Sequence, residues 1–182
     1  MGWQTPESYL ELVRKVGPIL FDPCTVSSNP TKAAYYVPHD KGANALAFLV
    51  SWAKHVQSFR LQGHQGLTFV NPPYGDALPG WTEKVLEETA QGLEVVFLVP
   101  ARPDTRWHNR ALHEADCTLF HGKRIQFLDA ATGKPRMTQC KKTGKWTKNS
   151  AAFPSSTFYF GPNVDKFRAA FAGQGTFVKV LG

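Results

Sequence analysis

Asn71-Pro72-Pro73-Tyr74-Gly75 follows the apolar run Leu67-Thr68-Phe69-Val70. Neither proline has an N–H to give a sheet ladder, and each holds φ near about −65°, so a strand must stop at Asn71 and the chain must turn rigidly there. The turn offers an amide side chain, backbone carbonyls that no ladder claims, and one aromatic ring, all in a fixed relation. That set suits an exocyclic amino group on a flat ring, with acceptors for its N–H groups and a surface on which it can stack. A plain proline-rich turn is the alternative, and the tetrapeptide by itself does not choose among amino-group substrates.

Two further groups can do chemistry nearby if the fold brings them to the same edge. Asp22-Pro23-Cys24 closes the short apolar run Pro18-Ile19-Leu20-Phe21, and Pro100-Ala101-Arg102-Pro103-Asp104-Thr105-Arg106-Trp107 closes the apolar run Leu93–Val99. An acid at the end of a central strand faces the crevice where open α/β sheets bind ligands, although Asp before Pro is also a common turn opener. Arg102 and Arg106 can meet phosphate, or Arg102 can pair with Asp104. Cys24, Cys117 and Cys140 are odd in number and form no C-x-x-C pair, and His55 and His64 stand apart, so no metal site and no disulfide framework is expected.

Charge singles out another region. Lys123, Arg124, Lys134, Arg136, Lys141, Lys142, Lys145 and Lys148 lie between positions 123 and 149 with one acid, Asp129, so this stretch carries the whole net charge of +7. A chain that is neutral elsewhere is expected to meet a polyanion here, because each phosphate contact releases counterions. A lysine-rich loop kept for solubility is the competing reading. Trp146 inside the stretch can act as a wedge or stacking side chain.

Positioning these groups requires an α/β frame. With 182 residues and 42% hydrophobic content, one domain is expected. No apolar run is long enough for a bilayer, and the N-terminus has no signal-peptide pattern, so a cytoplasmic protein is expected. Thr5 as N-cap and Pro6 at the first helical position predict a helix over 6–16, with Gly17 as its stop. Periodicity predicts helices over about 42–58, 81–91 and 105–115, and a short one over 164–171. Strands are expected at 18–21, around Ala33–Val37, and at 67–70, 93–99, 117–121, 122–128, 153–160 and 176–181, with Pro79-Gly80 as a break. The β-α-β unit at 67–99 places Asn71 and Arg102 on one edge by right-handed crossover. Residues 129–152 are too long for an ordinary structureless connection, so they are functional or disordered.

With these pieces in order, the chain resembles the phage-type DNA adenine N-6 methyltransferases, the phage branch of the Dam group. The resemblance rests on Trp3-x-Thr5-Pro6 before a helix, Phe21-Asp22-Pro23-Cys24, Tyr35-Tyr36 ahead of an acid, and Phe69-Val70-Asn71-Pro72-Pro73-Tyr74-Gly75 followed by Trp81. It continues through Leu98–Trp107, Gly122-Lys123-Arg124-Ile125-Gln126-Phe127 and Phe153-Pro154-Ser155. It implies a single Rossmann-like methyltransferase domain over 1–182, with a mostly parallel sheet flanked by helices and the basic stretch 129–152 as a DNA-recognition insertion. It implies methyl transfer from S-adenosylmethionine to the N-6 amino group of a flipped adenine in double-stranded DNA, by a protein encoded by a phage or prophage; the sequence leaves the oligomeric state open, with a monomer favoured.

By the same resemblance, Asn71, Pro72, Pro73 and Tyr74 are catalytic. Trp3, Thr5, Pro6, Asp22, Pro23, Cys24 and Asp40 hold the cofactor. From charge and from position on the shared edge, Arg102, Arg106, Lys123, Arg124, Lys134, Arg136, Lys141, Lys142, Lys145 and Trp146 are expected to bind DNA. The alternatives are a catalytically silent DNA-binding protein of the same fold, or a methyltransferase acting on RNA adenine, cytosine or protein glutamine.

Overall fold

The computed structural model describes residues 3–39, 51–129, 132–135, 137–139, 143–148, 151 and 153–180. The chain begins with β1 (Trp3–Gln4) and α1 (Glu7–Val16), whose Tyr9, Leu10, Val13 and Val16 are buried on one face as their spacing dictates. β2 (Ile19–Thr25) and β3 (Tyr35–Pro38) follow. α2 (Trp52–Leu61) is the described part of the second expected helix and runs past Ser58; positions 42–50 lie outside the described residues. β4 (Leu67–Val70) stops where the prolines require, and α3 (Leu78–Thr89) takes up Pro79 in its first turn, where a missing N–H costs nothing. The expected break at Pro79-Gly80 is therefore part of a helix start.

β5 (Val95–Pro100), α4 (Arg106–Glu114) and β6 (Cys117–His121) complete the alternation. The expected strand over 122–128 does not form. Only β7 (Leu128–Asp129) is extended, paired with β1, while Ile125 and Phe127 are buried as anchors. The alternation there reflects two apolar plugs under a loop and no ladder. Within the basic stretch, β8 (Met137–Gln139) and β9 (Trp146–Lys148) form an antiparallel hairpin, so the stretch has structure of its own. β10 (Ser155–Phe160), α5 (Val164–Ala170) and β11 (Gly175–Val178) end the fold.

The main sheet has seven strands in the order β11-β6-β10-β5-β4-β2-β3. Its β3–β2, β2–β4 and β4–β5 pairs are parallel, whereas β5–β10, β10–β6 and β6–β11 are antiparallel. The sheet is mixed, which corrects the expectation of a mostly parallel one. The cause lies in the connections. Helices α2 and α3 carry the chain back across the sheet before β4 and β5, which parallel pairing requires. The chain leaving β6 instead makes its excursion through β7, β8 and β9 and re-enters at Ser155, opposite Pro100, on the edge it left; β10 must then run the other way.

Helices cover both faces. Val95, Phe97 and Val99 of β5 pack beneath α2, α3 and α4, while Val96 and Leu98 pack beneath α1 and α5, so the central strand is buried on both sides. The result is one three-layer α/β unit with the turns after β4 and β5 on a common edge.

Candidate active site

Asn71 leaves the end of β4 half-buried, with Pro72 buried behind it and Pro73 exposed. Both ends of its amide are held. Asn71 Nδ2 donates to Thr5 Oγ1 at 2.8 Å, and the Tyr74 hydroxyl donates to Asn71 Oδ1 at 2.8 Å. An amide oxygen can accept two hydrogen bonds, so Oδ1 keeps one position for another donor. The Pro72 carbonyl takes no backbone donor among the described residues. Gly75 turns the chain away with φ of 124°, a region that favours glycine.

Thr5 was expected to cap α1, but the cap residue is Pro6 and no side chain caps the helix. A threonine cap is worth about 1 kcal/mol. This hydroxyl goes to Asn71, sixty-six positions away, and Thr5 itself is buried.

Tyr74 is half-buried. Its ring meets Phe127 and Phe153 edge-on, at centroid distances of 6.1 and 5.5 Å. Burial, and after it the nearby Tyr9 and Cys24, holds the Tyr74 hydroxyl well above the usual phenol range, so it remains a donor to Asn71. Phe127 and Phe153 stand at the two roots of the basic excursion. Sequence reasoning placed both in motifs but gave neither a role at the site.

Beside Asn71 lies a small cleft of about 30 Å³, walled by Trp3, Thr5, Asp22, Cys24, Thr25 and Thr31 among others. Trp3 is 40% exposed, and Pro6 starts the adjoining helix. Asp22 was expected at the end of its strand. Instead β2 runs on to Thr25 through Pro23, and the ladder to β3 shifts register between Asp22 and Thr25, as a proline without an N–H demands. Asp22 is buried, and Oδ1 accepts the Cys24 backbone N–H at 3.0 Å. Burial pushes its carboxyl up to about 6, against the hydrogen bonds from Cys24, Thr31 and Thr25 that favour the charged form. The same burial, with Asp22 beside it, pushes the Cys24 thiol up, so it is no nucleophile. Thr25 and Thr31 carried no signal in sequence, because an isolated threonine in a loop is ordinary.

Asp40, Arg136, Lys141 and Lys142 lie outside the described residues. Arg102 is bound to Asp104 through Nε and Nη2 at 3.3 and 3.4 Å, the ion-pair alternative considered above, and both are exposed. Arg106 is exposed at the head of α4. Lys123 is exposed after β6; Arg124 donates from Nη1 to the Ala151 carbonyl at 3.2 Å and so ties the roots of the excursion together. Lys134 and Lys145 are exposed in the excursion. Trp146, 64% exposed, stands opposite Gln139 in the hairpin ladder, and Met137, two residues along, shares that face. Among the described residues, no group of three or more His, Cys, Asp or Glu could hold a metal ion, and no helix is long and apolar enough to cross a membrane.

A family model for DNA N-6-adenine-methyltransferase (Dam) matches residues 2–147, from the N-terminal strand through the Asn71 turn and into the hairpin. The chain belongs to the Dam family. Searches of curated proteins and of solved structures returned no match. Family membership makes this chain a DNA adenine N-6 methyltransferase, and the Asn71 turn and its cleft fall within the matched span.

Proposed function

We propose that this Dam-family chain transfers a methyl group from S-adenosylmethionine directly to the N-6 amino group of an adenine flipped out of double-stranded DNA. The observation that carries the reading is the Asn71 amide, held at both ends by Thr5 and Tyr74 beside the Asp22 cleft, with an acceptor position left on Oδ1. The residues of the cleft fit the cofactor's chemistry. Asp22 offers a buried carboxyl to a cationic ligand, the Thr25 and Thr31 hydroxyls offer hydrogen-bonding partners, and Trp3 offers a ring for a purine. When bound there, S-adenosylmethionine supplies an electrophilic methyl group on a sulfonium centre.

The protein's part is orientation. An adenine amino nitrogen is a poor nucleophile because its lone pair is delocalised into the ring. The free position on Asn71 Oδ1 and the Pro72 carbonyl each accept one of its N–H groups, which pulls the nitrogen toward pyramidal geometry and frees the lone pair for in-line attack. Held dipoles of this kind contribute several kcal/mol when water is excluded. Tyr74 presents the remaining exposed surface of its ring to the base, and the base must leave the duplex because its amino group is otherwise out of reach. Lys123, Lys134, Lys145 and Trp146, with Arg106 on the same edge, meet the DNA.

Incubation with methyl-labelled S-adenosylmethionine and unmethylated duplex DNA tests this reading. Label in N-6-methyladenine is expected. Label confined to cytosine, RNA or protein overturns the substrate, and no cofactor binding at millimolar concentration returns the chain to a silent DNA-binding role.

A further inference from the structure

We infer that Thr5 is a positioning residue for methyl transfer, acting through Asn71 by holding the plane of its amide. The inference rests on the reading of Asn71 as acceptor for the adenine amino group. An asparagine amide turns readily about its last side-chain torsion, which is broad and shallow. A single hydrogen bond from Tyr74 to Oδ1 leaves that rotation largely open, whereas a second bond at the opposite end, from Nδ2 to Thr5 Oγ1, closes it. The remaining acceptor position on Oδ1 then points in one direction only.

Thr5 is built to hold still. On its N-terminal side, Trp3 and Gln4 are paired with Asp129 and Leu128 in the small β1–β7 ladder. On its C-terminal side, the Pro6 carbonyl accepts the first bonds of α1, from the backbone N–H groups of Tyr9 and Leu10. A strand pairing and a helix start thus clamp the backbone on either side of one buried hydroxyl, and that hydroxyl serves a residue at the tip of β4 instead of its own helix. Thr5 also walls the cleft, which offers a rival role: direct contact with the cofactor. The two roles separate kinetically. A residue that orients Asn71 changes the rate of the chemical step, whereas a cofactor contact changes cofactor affinity.

The test is Thr5→Val, which keeps the side-chain shape and removes the oxygen, with Thr5→Ala measured beside it so that a folding defect in one leaves the other readable. Single-turnover methylation of duplex DNA, cofactor affinity by calorimetry and thermal melting are recorded for each. The expected result is a fall of about 10- to 100-fold in the transfer rate, the range that a small misplacement of a catalytic group produces, with cofactor affinity within about twofold. Thr5→Ser, which returns the oxygen, recovers most of the loss. A weakened cofactor affinity with an unchanged transfer rate overturns the inference in favour of cofactor contact, and a rate equal to that of the parent protein overturns it outright. Asn71→Ala distinguishes this failure from failure of the underlying reading. If Asn71→Ala retains full turnover, the role of Asn71 is wrong; if it is inactive while Thr5→Val is not impaired, only the role of Thr5 is wrong.

Discussion

Two regions meet on one edge of the sheet and are built in opposite ways. At the Asn71 turn the side chains are held by partners inside the protein: Asn71 by Thr5 and Tyr74, Asp22 by the Cys24 backbone, and the Tyr74 ring by Phe127 and Phe153. In the basic excursion, Trp146 is 64% and Met137 49% exposed, and Lys134 and Lys145 are exposed as well. The first region can act only on a group brought to it in the right pose, and its geometry is set before substrate arrives. On the proposed reading, the second acquires its contacts only when DNA arrives. Substitutions in the first should change the transfer rate or cofactor binding, and substitutions in the second should change DNA affinity and its salt dependence.

The sharpest way to break this contrast is Asn71→Ala. It removes the oriented acceptor and leaves the strand and prolines intact, so the single-turnover rate is expected to fall by about 10³-fold, the scale seen when one preorganised hydrogen-bonding group is removed from an active site. Cofactor affinity measured by calorimetry should stay within about threefold. Equal losses of rate and cofactor binding would make Asn71 a structural residue and dissolve the distinction.

Trp146→Ala probes the other side. Loss of an exposed ring that stacks on a base or wedges between base pairs is worth about 1–3 kcal/mol, so DNA affinity by fluorescence anisotropy should weaken by about 5- to 150-fold. If affinity holds and the transfer rate collapses instead, the hairpin belongs to the catalytic apparatus.

Asp22 gives a pH-dependent form of the same question. Burial raises its carboxyl from 3.8 to about 6, so the folded state holds the proton more tightly than the unfolded one. The stability from this group is full below pH about 4 and is lost as pH rises through about 6. Binding of a cation should run the opposite way, because it draws on the ionised form. Cofactor affinity is therefore expected to rise with pH and level off above about 6, with a change of up to about tenfold per pH unit below that point. Asp22→Asn should flatten this profile. A parent protein with an already flat profile would remove the Asp22 carboxylate from the cofactor site.

Much of the first region was legible in sequence because backbone chemistry wrote it. Two adjacent prolines end β4 wherever they occur, the β5 run is apolar enough to be buried on both faces, and α1 buries the four residues that its spacing names. What stayed hidden depends on distant partners. Thr5 before Pro6 carries the local signature of a cap, and only the position of Asn71 in space explains why its hydroxyl goes elsewhere. Asp22-Pro23 has the local signature of a strand end, yet pairing with β3 carries β2 through the proline to Thr25 with a shift of register. The antiparallel placement of β10 was also illegible, since it depends on which edge the chain occupies after an excursion of more than thirty residues. In the second region, charge was legible from composition but the hairpin was not, because β8 and β9 have only three residues each.

The smallest expected effect belongs to single lysines of the excursion, and it separates phosphate contact from mere solubility. Each phosphate neutralised on duplex DNA contributes about 0.9 to the slope of log affinity against log salt. Lys145→Gln and Lys134→Gln should each lower the slope by about one if the residue meets a phosphate in the complex. Between 50 and 200 mM salt, a slope change of one alters relative affinity by about fourfold, which an anisotropy titration at several salt concentrations resolves. Both residues are exposed, so replacement costs the fold little and the melting temperature should stay within about 1–2 °C. A lysine that only keeps the surface soluble leaves the slope where it was. If both substitutions leave it unchanged while Trp146→Ala weakens binding, the hairpin reads bases through its aromatic face and the phosphates are met elsewhere on the edge, with exposed Arg106 and Lys123 the residues to test next.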